Sequence, residues 1–97
     1  MATYVVLFNW TDQGIKSYRD SPSRVDAFNE QMSGLGVTLR DIYWTAGQYD
    51  LVGIMDAPDG QALSAALLQL GALGNVRSTS LRAYSRDEFQ AVIDKAG

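Results

Sequence analysis

The centre of the sequence carries two strand-like runs, residues 37–45 and 49–56, with only three residues between them. The spacer, residues 46–48, contains a glycine and has the length of a hairpin loop, so we expect the two runs to pair antiparallel. Apolar residues recur at helical spacing on each side of this hairpin, over residues 21–34 before it and 58–74 after it. A central hairpin flanked by two helices leaves few ways to build one sheet.

Two further runs complete the predicted sheet, residues 3–9 at the start and residues 75–84 near the end. Ser21 is the predicted cap of the first helix, and the capping-box pattern Ser-Arg-Asp-Glu at 85–88 predicts a terminal helix. The order is then βαββαβ plus one helix, which predicts an α+β, ferredoxin-like fold with a four-stranded antiparallel sheet. We expect one domain over residues 1–97, with both main helices on one face of the sheet.

Alternation along the strands divides their side chains into a face that packs against the helices and a face that is free of them. The predicted helix-facing residues are Val5, Leu7, Val37, Leu39, Val52, Ile54, Thr79, Leu81 and Ala83. The predicted free face carries Tyr4, Val6, Phe8, Arg40, Ile42, Trp44, Tyr49, Leu51, Met55, Ser80, Arg82 and Tyr84. Five of these twelve residues are aromatic, and an apolar area of that kind usually marks an interface or a ligand site.

A second copy of the same sheet is the simplest cover for that face, so we predict a homodimer or a higher homo-oligomer with a barrel-like sandwich of sheets. The residues predicted to form the interface are Tyr4, Val6, Phe8, Ile42, Leu51 and Met55. Strict alternation would point Asp41 at the helices. We therefore expect a β-bulge or an edge position in the second strand.

The composition excludes several kinds of chemistry. The chain has no cysteine and no histidine, so it has no disulfide, no thiolate nucleophile and none of the commonest metal and haem ligands. We expect no metal and no cofactor. The net charge of −3, with the basic residues scattered, argues against nucleic acid as a partner. The apolar runs are too short to span a bilayer and the N-terminus does not resemble a signal peptide, so we expect no membrane association and a cytoplasmic location.

The sequence resembles the GYD domain family over roughly residues 4–86. The signature residues are Gly47, Tyr49 and Asp50 within the segment 44–52, and the segments 8–11 and 74–83 are also similar to the family. Gln48 separates the glycine from the tyrosine, so the three signature letters are not contiguous here. The resemblance implies a ferredoxin-like fold of the dimeric α/β-barrel type. It implies no particular activity, because the family is named for its sequence.

The candidate ligand-binding residues are Arg40, Trp44, Tyr49, Asp50, Arg82 and Tyr84. Paired arginines suit a carboxylate or an enolate, and aromatic side chains suit a flat ring. The alternative is that the aromatic residues pack across a dimer and that Asp50 bonds to the backbone of its own turn. At the end of the first strand, Asn9, Trp10 and Thr11 either line the mouth of a pocket or only end the strand.

Three functions fit these residues. The first is an uncharacterised oligomeric binding module that holds a small aromatic or acidic metabolite. The second is a cofactor-independent enzyme, an oxygenase or isomerase that acts on a phenolic or carboxylate substrate and uses Arg40 and Arg82 to stabilise an anion. The third is a structural subunit of a larger assembly. No catalytic residue can be assigned, because every candidate also has a packing role.

Overall fold

The computed structural model describes all residues from Met1 to Gly97. The strands are β1 (Ala2–Trp10), β2 (Thr38–Trp44), β3 (Leu51–Ala57) and β4 (Val76–Ala83). The helices are α1 (Asp12–Lys16), α2 (Ser21–Met32), α3 (Gly60–Ala72) and α4 (Arg86–Ala96), and short 3-10 turns at Tyr18–Asp20 and Ser33–Leu35 flank α2. The four strands form one antiparallel sheet in the order β2-β3-β1-β4. The predicted βαββαβ order with a C-terminal helix is confirmed.

Two of the helix starts follow from their capping residues. Asp59 accepts a hydrogen bond from the backbone N–H of Ala62 and caps α3. Ser85 and Glu88 form the predicted capping box of α4. Ser21 does not cap α2, because the preceding 3-10 turn already holds the backbone of Asp20 in a helical conformation. The Ser21 side chain is buried inside the first turn instead.

The helices cover the face of the sheet that carries Val6, Phe8, Leu51 and Met55, and these four side chains are at most 5% exposed. Phe28 and Met32 from α2 and Leu63 and Ala66 from α3 complete this core, together with Val37, Ala57 and Val76. The predicted assignment of the faces is therefore wrong for β1, β3 and β4, and also for Ile42 and Trp44 of β2. The predicted helix-facing residues of β1, β3 and β4 lie on the opposite side of the sheet, which no helix covers: Val5, Leu7, Val52, Ile54, Thr79, Leu81 and Ala83.

The polar residues of the strands explain this choice of face. Thr3 and Asn9 share a face with Val5 and Leu7, and Asp56 shares it with Val52 and Ile54. Burying that face under the helices would have removed those polar groups from water, which is costly without a hydrogen-bond partner. The residues predicted to form the dimer interface are consequently misplaced, because all six lie on the helix side: Tyr4, Val6, Phe8, Ile42, Leu51 and Met55.

A β-bulge in β2 sets the orientation of the edge strand. Leu39 pairs with Met55 and Asp41 pairs with Ile54, which leaves Arg40 as the extra residue. The bulge keeps Leu39 and Ile42 against the core while Asp41 lies on the uncovered face. The predicted bulge and edge position of the second strand are both confirmed.

The molecule is thin and elongated. Its principal extents are 50 × 31 × 18 Å, and the smallest of them has room for one sheet and one layer of helices. The radius of gyration is 14.4 Å, whereas a compact domain of this length has a value of about 12.5 Å. Part of the excess comes from α4, in which no residue is buried. None of the helices has the length and apolar character needed to cross a bilayer.

Candidate ligand cavity and open sheet face

The two arginines that the sequence suggested as a pair lie on opposite faces of the sheet. Arg40 crosses the uncovered face and donates from Nε to Oδ2 of Asp56 at 3.0 Å and from Nη2 to Oγ1 of Thr3 at 3.2 Å. Arg82 shares the helix side with Tyr4 and donates to the backbone carbonyls of Thr3, at 3.1 Å, and of Ala83. Both guanidinium groups reach Thr3, Arg40 at its hydroxyl and Arg82 at its carbonyl, and both already donate to protein acceptors.

Arg40 and Asp56 form an ion pair at one end of the uncovered face. The hydrogen bond from Arg40 lowers the pKa of the Asp56 carboxyl, and a second hydrogen bond from the Thr3 hydroxyl, 2.8 Å long, lowers it further. The same hydrogen bond to Asp56 raises the pKa of Arg40. Both groups are therefore held in their charged forms.

Arg82 and Tyr84 do come together, at the junction of β4 and α4. The guanidinium carbon of Arg82 lies 4.5 Å from the ring centre of Tyr84 and 5.7 Å from that of Tyr4, within the range of cation–π contacts. A guanidinium nitrogen of Arg82 also lies 3.5 Å from Oε2 of Glu88, whose pKa is lowered chiefly by the hydrogen bond from the Ser85 backbone N–H. This cluster fixes the start of α4 to the sheet.

Asp50 holds the hairpin loop against the end of β1. Its carboxylate accepts a hydrogen bond of 2.9 Å from the backbone N–H of Trp10, and its own N–H donates to the carbonyl of Phe8 at 2.8 Å. Thr45 closes the loop through bonds to the carbonyls of Tyr49 and Asp50. The geometry of Asp50 is thus that of a loop residue bonded to the backbone, and Tyr49 supplies only its carbonyl to this network.

The indole of Trp44 lies on the helix side, where its Nε1 donates to the buried hydroxyl of Ser21 at 2.9 Å. This bond ties β2 to the start of α2. It also explains why Ser21 is serine although it does not cap the helix. Of the six predicted ligand residues, Arg82 and Tyr84 are in side-chain contact, and Trp44, Tyr49 and Asp50 lie together at the end of the β2–β3 hairpin.

The structure contains a cavity that the sequence did not reveal, between the helix side of the sheet and helices α2 and α3. Its volume is about 130 Å³, and twelve of its sixteen lining residues are hydrophobic. The apolar walls include Phe8, Val25, Phe28, Ile42, Leu51 and Met55. Val25 and Phe28 of α2 belong to the apolar helical pattern predicted over residues 21–34, and spacing alone cannot show that a core is incompletely filled.

Trp10 also lines this cavity, which agrees with the first of the two interpretations of the end of β1. Its Nε1 is the one buried side-chain nitrogen or oxygen without a hydrogen-bond partner in the chain. Arg24 is the only ionisable residue among the lining residues. Its guanidinium donates to the carbonyl and hydroxyl of Ser17, both at 2.9 Å, and to the carbonyl of Gly14 at 3.3 Å.

A hydrogen-bonded network closes the end of the cavity near Trp10. The N–H of Thr11 donates to the carbonyl of Asn75 at 3.0 Å, and the Gln13 side chain donates to the carbonyl of Leu73, also at 3.0 Å. Gly14 packs so closely here that an added Cβ would lie 1.9 Å from the Asn75 carbonyl oxygen. Only glycine lets α1 approach the backbone of Asn75, just before β4, at this point.

The profile of the GYD domain family matches residues 4–93. The chain belongs to this family. The resemblance noted in the sequence is therefore confirmed, and so is the ferredoxin-like fold that it implied. The match includes β1 from its third residue onward, strands β2 to β4, helices α1 to α3 and most of α4.

Individual relatives of this GYD-domain chain agree with the family assignment. A Thermus thermophilus protein named glutamine synthetase and cystathionine beta-lyase binding protein is 31% identical over 84 residues, which are 86% of this chain and 88% of that protein. The crystal structure of TTHA0845, also from Thermus thermophilus, superposes with a TM-score of 0.55 at 28% identity, over 89% of this chain and 100% of that one.

The crystal structure of MtbAldR is also similar, with a TM-score of 0.59 at 17% identity over 88% of this chain. The matched region is 52% of the MtbAldR chain, so the GYD-domain chain corresponds to about half of it. At this identity the likeness concerns the fold alone.

Proposed function

We propose that this GYD-domain chain is an oligomeric binding protein. Copies of the chain associate through the uncovered face of the sheet, and each copy holds a small molecule between its sheet and its helices. The observation that carries the proposal is the apolar character of a sheet face that no part of the chain covers.

The uncovered face has a continuous apolar centre. Val5 of β1 lies between its partners Ile54 of β3 and Leu81 of β4, and Leu7 lies beside Val52 in the next row. Leu81 is 49% exposed although its neighbours on the face are aliphatic. Contiguous apolar surface of this kind on a soluble protein marks a contact with a partner.

The surface area is consistent with one missing contact. The chain exposes 6290 Å², whereas a folded monomer of 10.6 kDa exposes about 5,500 Å². The difference, about 800 Å², is what each partner contributes to an interface of standard size. The uncovered face and the exposed apolar side of α4, formed by Phe89, Val92 and Ile93, supply this surface.

A second copy of the chain is the occupant that we propose. A two-fold axis that lies between the two sheets and parallel to them would place the apolar centre of one copy on that of the other, so that both faces leave water in one contact. Face-to-face packing of two sheets is a common arrangement, with about 10 Å between them. The charged pair of Arg40 and Asp56 would then lie at the rim, where interfaces are polar.

The name of the Thermus thermophilus relative supports a protein-binding role for this family member. By that likeness we propose that the oligomer in turn binds other proteins. The enzymatic alternative has less support, because Arg40 and Arg82 already donate to protein acceptors, and so does Arg24, the one ionisable residue of the cavity. An oxygenase or isomerase would need a free ionisable group, or a set of aligned donors, to stabilise a substrate anion.

Sedimentation analysis of the wild type and of Leu81→Glu tests the proposed self-association. We expect a dimer or a multiple of dimers for the wild type and a folded monomer for Leu81→Glu, since the interface would bury an unpaired carboxylate. Gln69→Glu adds the same charge to the exposed side of α3 and should leave the assembly unchanged. A wild-type monomer at micromolar concentration would refute the proposal, as would an assembly that Leu81→Glu leaves intact.

A further inference from the structure

We infer that the exposed apolar side of α4 docks in a groove between α3 and β4 of another copy of the chain. The inference rests on the proposed self-association and specifies a second contact within the oligomer, separate from the sheet face. Neither the apolar side of α4 nor the groove is covered by the chain to which it belongs, and the two are complementary in shape and chemistry.

The apolar side of α4 is continuous along the helix. Phe89, Val92, Ile93 and Ala96 follow the i, i+3, i+4, i+7 spacing of a single helix face. The first three of these residues are 52, 36 and 48% exposed, and no residue of α4 is buried. A helix of 11 residues is only marginally stable in water without packing. A partner for this side would therefore stabilise α4.

The groove lies along the side of α3 next to β4. Its seven lining residues are a helical stripe on α3 and two residues of β4: Ser64, Leu67, Leu68, Gly71 and Ala72, with Arg77 and Ser78 opposite them. Leu68 is 75% exposed. The sequence of α3 contains no charged residue, and a helix without a charged side is normally covered on more than one side. The core covers only the side of α3 that carries Leu63 and Ala66.

The groove has the dimensions of a docking site for a helix. Its volume is about 540 Å³, against about 130 Å³ for the cavity, so it can accept several side chains together. From Ser64 to Ala72 it extends about 12 Å along α3, and the apolar side of α4 from Phe89 to Ala96 is about 10 Å long. Gly71 has no side chain and lets another helix approach the axis of α3 closely.

The groove of the same chain is out of reach for α4 as it is held here. The ring of Tyr84 and the carboxylate of Glu88 hold the start of α4 against Arg82. The groove lies near the other end of β4, at Arg77 and Ser78. The longest dimension of the molecule, 50 Å, exceeds the length of about 30 Å expected for the nine-residue β1, in agreement with a helix that extends from the body. A second copy is therefore the occupant that we infer.

The distribution of exposed apolar surface supports a second contact. Apart from Leu81, the aliphatic residues at the centre of the sheet face are only partly exposed: Val5, Leu7, Val52 and Ile54. Leu68 of the groove and Phe89 of α4 are each more than half exposed, and docking would cover both. The docked area is a fraction of the about 800 Å² per partner of a standard interface, so this contact adds to the sheet contact and does not replace it.

The charges also favour this pairing. Arg77 is the only charged residue of the groove, and no carboxylate lies within 4 Å of it. The sequence of α4 has two basic and three acidic residues, so its net charge of −1 is opposite to that of the groove. The same composition disfavours an anionic membrane surface as the cover for α4, because membrane-bound amphipathic helices are rich in lysine and arginine.

Chemical cross-linking tests the contact directly. The chain has no cysteine, so Leu68→Cys and Val92→Cys each introduce a single thiol. The two variants are mixed, allowed to exchange subunits and treated with a short bismaleimide. We expect a covalent heterodimer, which its mass distinguishes from the two homodimers. Ala91→Cys in place of Val92→Cys puts the thiol on the far side of α4 and should give little of this product.

A pair of charge variants tests whether the contact contributes to assembly. Ile93→Glu and Ala91→Glu add the same charge to opposite sides of α4. Because no residue of α4 is buried, both variants should keep the folded sheet. Ile93→Glu should weaken self-association about ten-fold in sedimentation experiments over a range of concentrations, since its carboxylate would leave water in the groove. Ala91→Glu should associate like the wild type.

The inference would be overturned by a heterodimer yield no higher than that of the Ala91→Cys control, or by equal association of the two glutamate variants. If Leu81→Glu still dissociates the wild-type oligomer in that case, the sheet contact stands without the α4 contact. A heterodimer that forms in an assembly unaffected by Leu81→Glu would refute the sheet contact and keep that of α4. Cross-linking within one chain of the double variant Leu68→Cys/Val92→Cys at low concentration would place α4 in its own groove and also overturn the inference.

Discussion

The neighbouring residues Ile54 and Met55 of β3 give the sharpest test of which face of the sheet the helices cover. Met55 is 0% exposed and lies against the helices, where it also lines the cavity. Ile54 points the other way and lies beside Val5 on the uncovered face. Truncation of either residue to alanine removes a similar amount of apolar side chain. The two variants should nevertheless behave differently.

Met55→Ala should destabilise every copy of the chain by about 3 kcal/mol, within the range of about 2–5 kcal/mol for buried methionine. The adjoining cavity would enlarge, because the surrounding core cannot collapse fully onto the vacated space. A domain of this length has a total stability of about 5–15 kcal/mol. The midpoint of thermal unfolding should therefore fall by roughly 12–24 °C.

Ile54→Ala should cost about 1 kcal/mol in the dissociated chain, because the side chain is only partly removed from water there. The larger part of its effect should fall on self-association. Circular dichroism melts at low and high protein concentration separate the two contributions, since association makes the midpoint depend on concentration. Met55→Ala should lower the midpoint equally at both concentrations, whereas Ile54→Ala should remove the rise that the proposed self-association predicts for the wild type at high concentration.

The opposite pattern would refute the assignment of the faces. A large, concentration-independent loss for Ile54→Ala with a small loss for Met55→Ala would mean that the helices cover the other side of β3.

Three further predictions concern local structure. Gly14→Ala should lower the thermal midpoint by many degrees because its Cβ would meet the Asn75 carbonyl oxygen, while Gly34→Ala, with no atom within 4 Å of the added carbon, should be nearly neutral. Asp56→Asn should reduce the loss of stability in acid. Because the pKa of Asp56 is lowered by folding, its carboxylate stabilises the folded state above the unfolded-state pKa of about 3.9, and this contribution is lost as the pH falls through the folded-state pKa. Urea denaturation should therefore show a smaller difference in stability between pH 7 and pH 3 for the variant than for the wild type. Ser85→Ala should speed amide exchange at the start of α4 and leave exchange in the sheet unchanged, because it removes only the capping box.

The order of strands and helices could be predicted because each element carries a local signal. Each signal can be recognised from a few adjacent residues: the central hairpin, the Asp59 and Ser85 caps, and the helical period of the apolar residues in α2. The bulge in β2 could be predicted as well, since Asp41 does not fit regular alternation in an apolar strand. These features depend on neighbours in sequence and need no knowledge of the tertiary packing.

The faces of the sheet could not be assigned from hydrophobicity alone. Val5 and Leu7 are as apolar as Val6 and Phe8, so the sequence pattern of β1 predicts a strand that is buried on both faces. The signal that does distinguish the faces is the polar residues at the strand ends. Thr3 and Asp56 alternate with the aliphatic residues of the uncovered face, and none of the residues that alternate with Met55 in β3 is charged.

The cavity and the separation of the two arginines could not be predicted for a different reason. Arg40 occupies the extra position of the bulge, so its side depends on a local irregularity, and Arg82 follows regular alternation in β4. Whether a core is completely filled depends on the distances between elements, which sequence spacing does not specify. Trp10 was the one lining residue whose position at a strand end suggested a pocket.

The edges of the sheet determine how far assembly can go. Strands β2 and β4 form the two edges, and each has unpaired backbone groups that could template a further strand. The bulge at Arg40 interrupts one edge, and Arg77 and Arg82 place positive charge along the other. Both devices oppose the addition of strands from other chains, which would lead to open-ended fibres. The proposed association through the face would instead use up its own surface when two copies meet, so growth would stop at a closed particle.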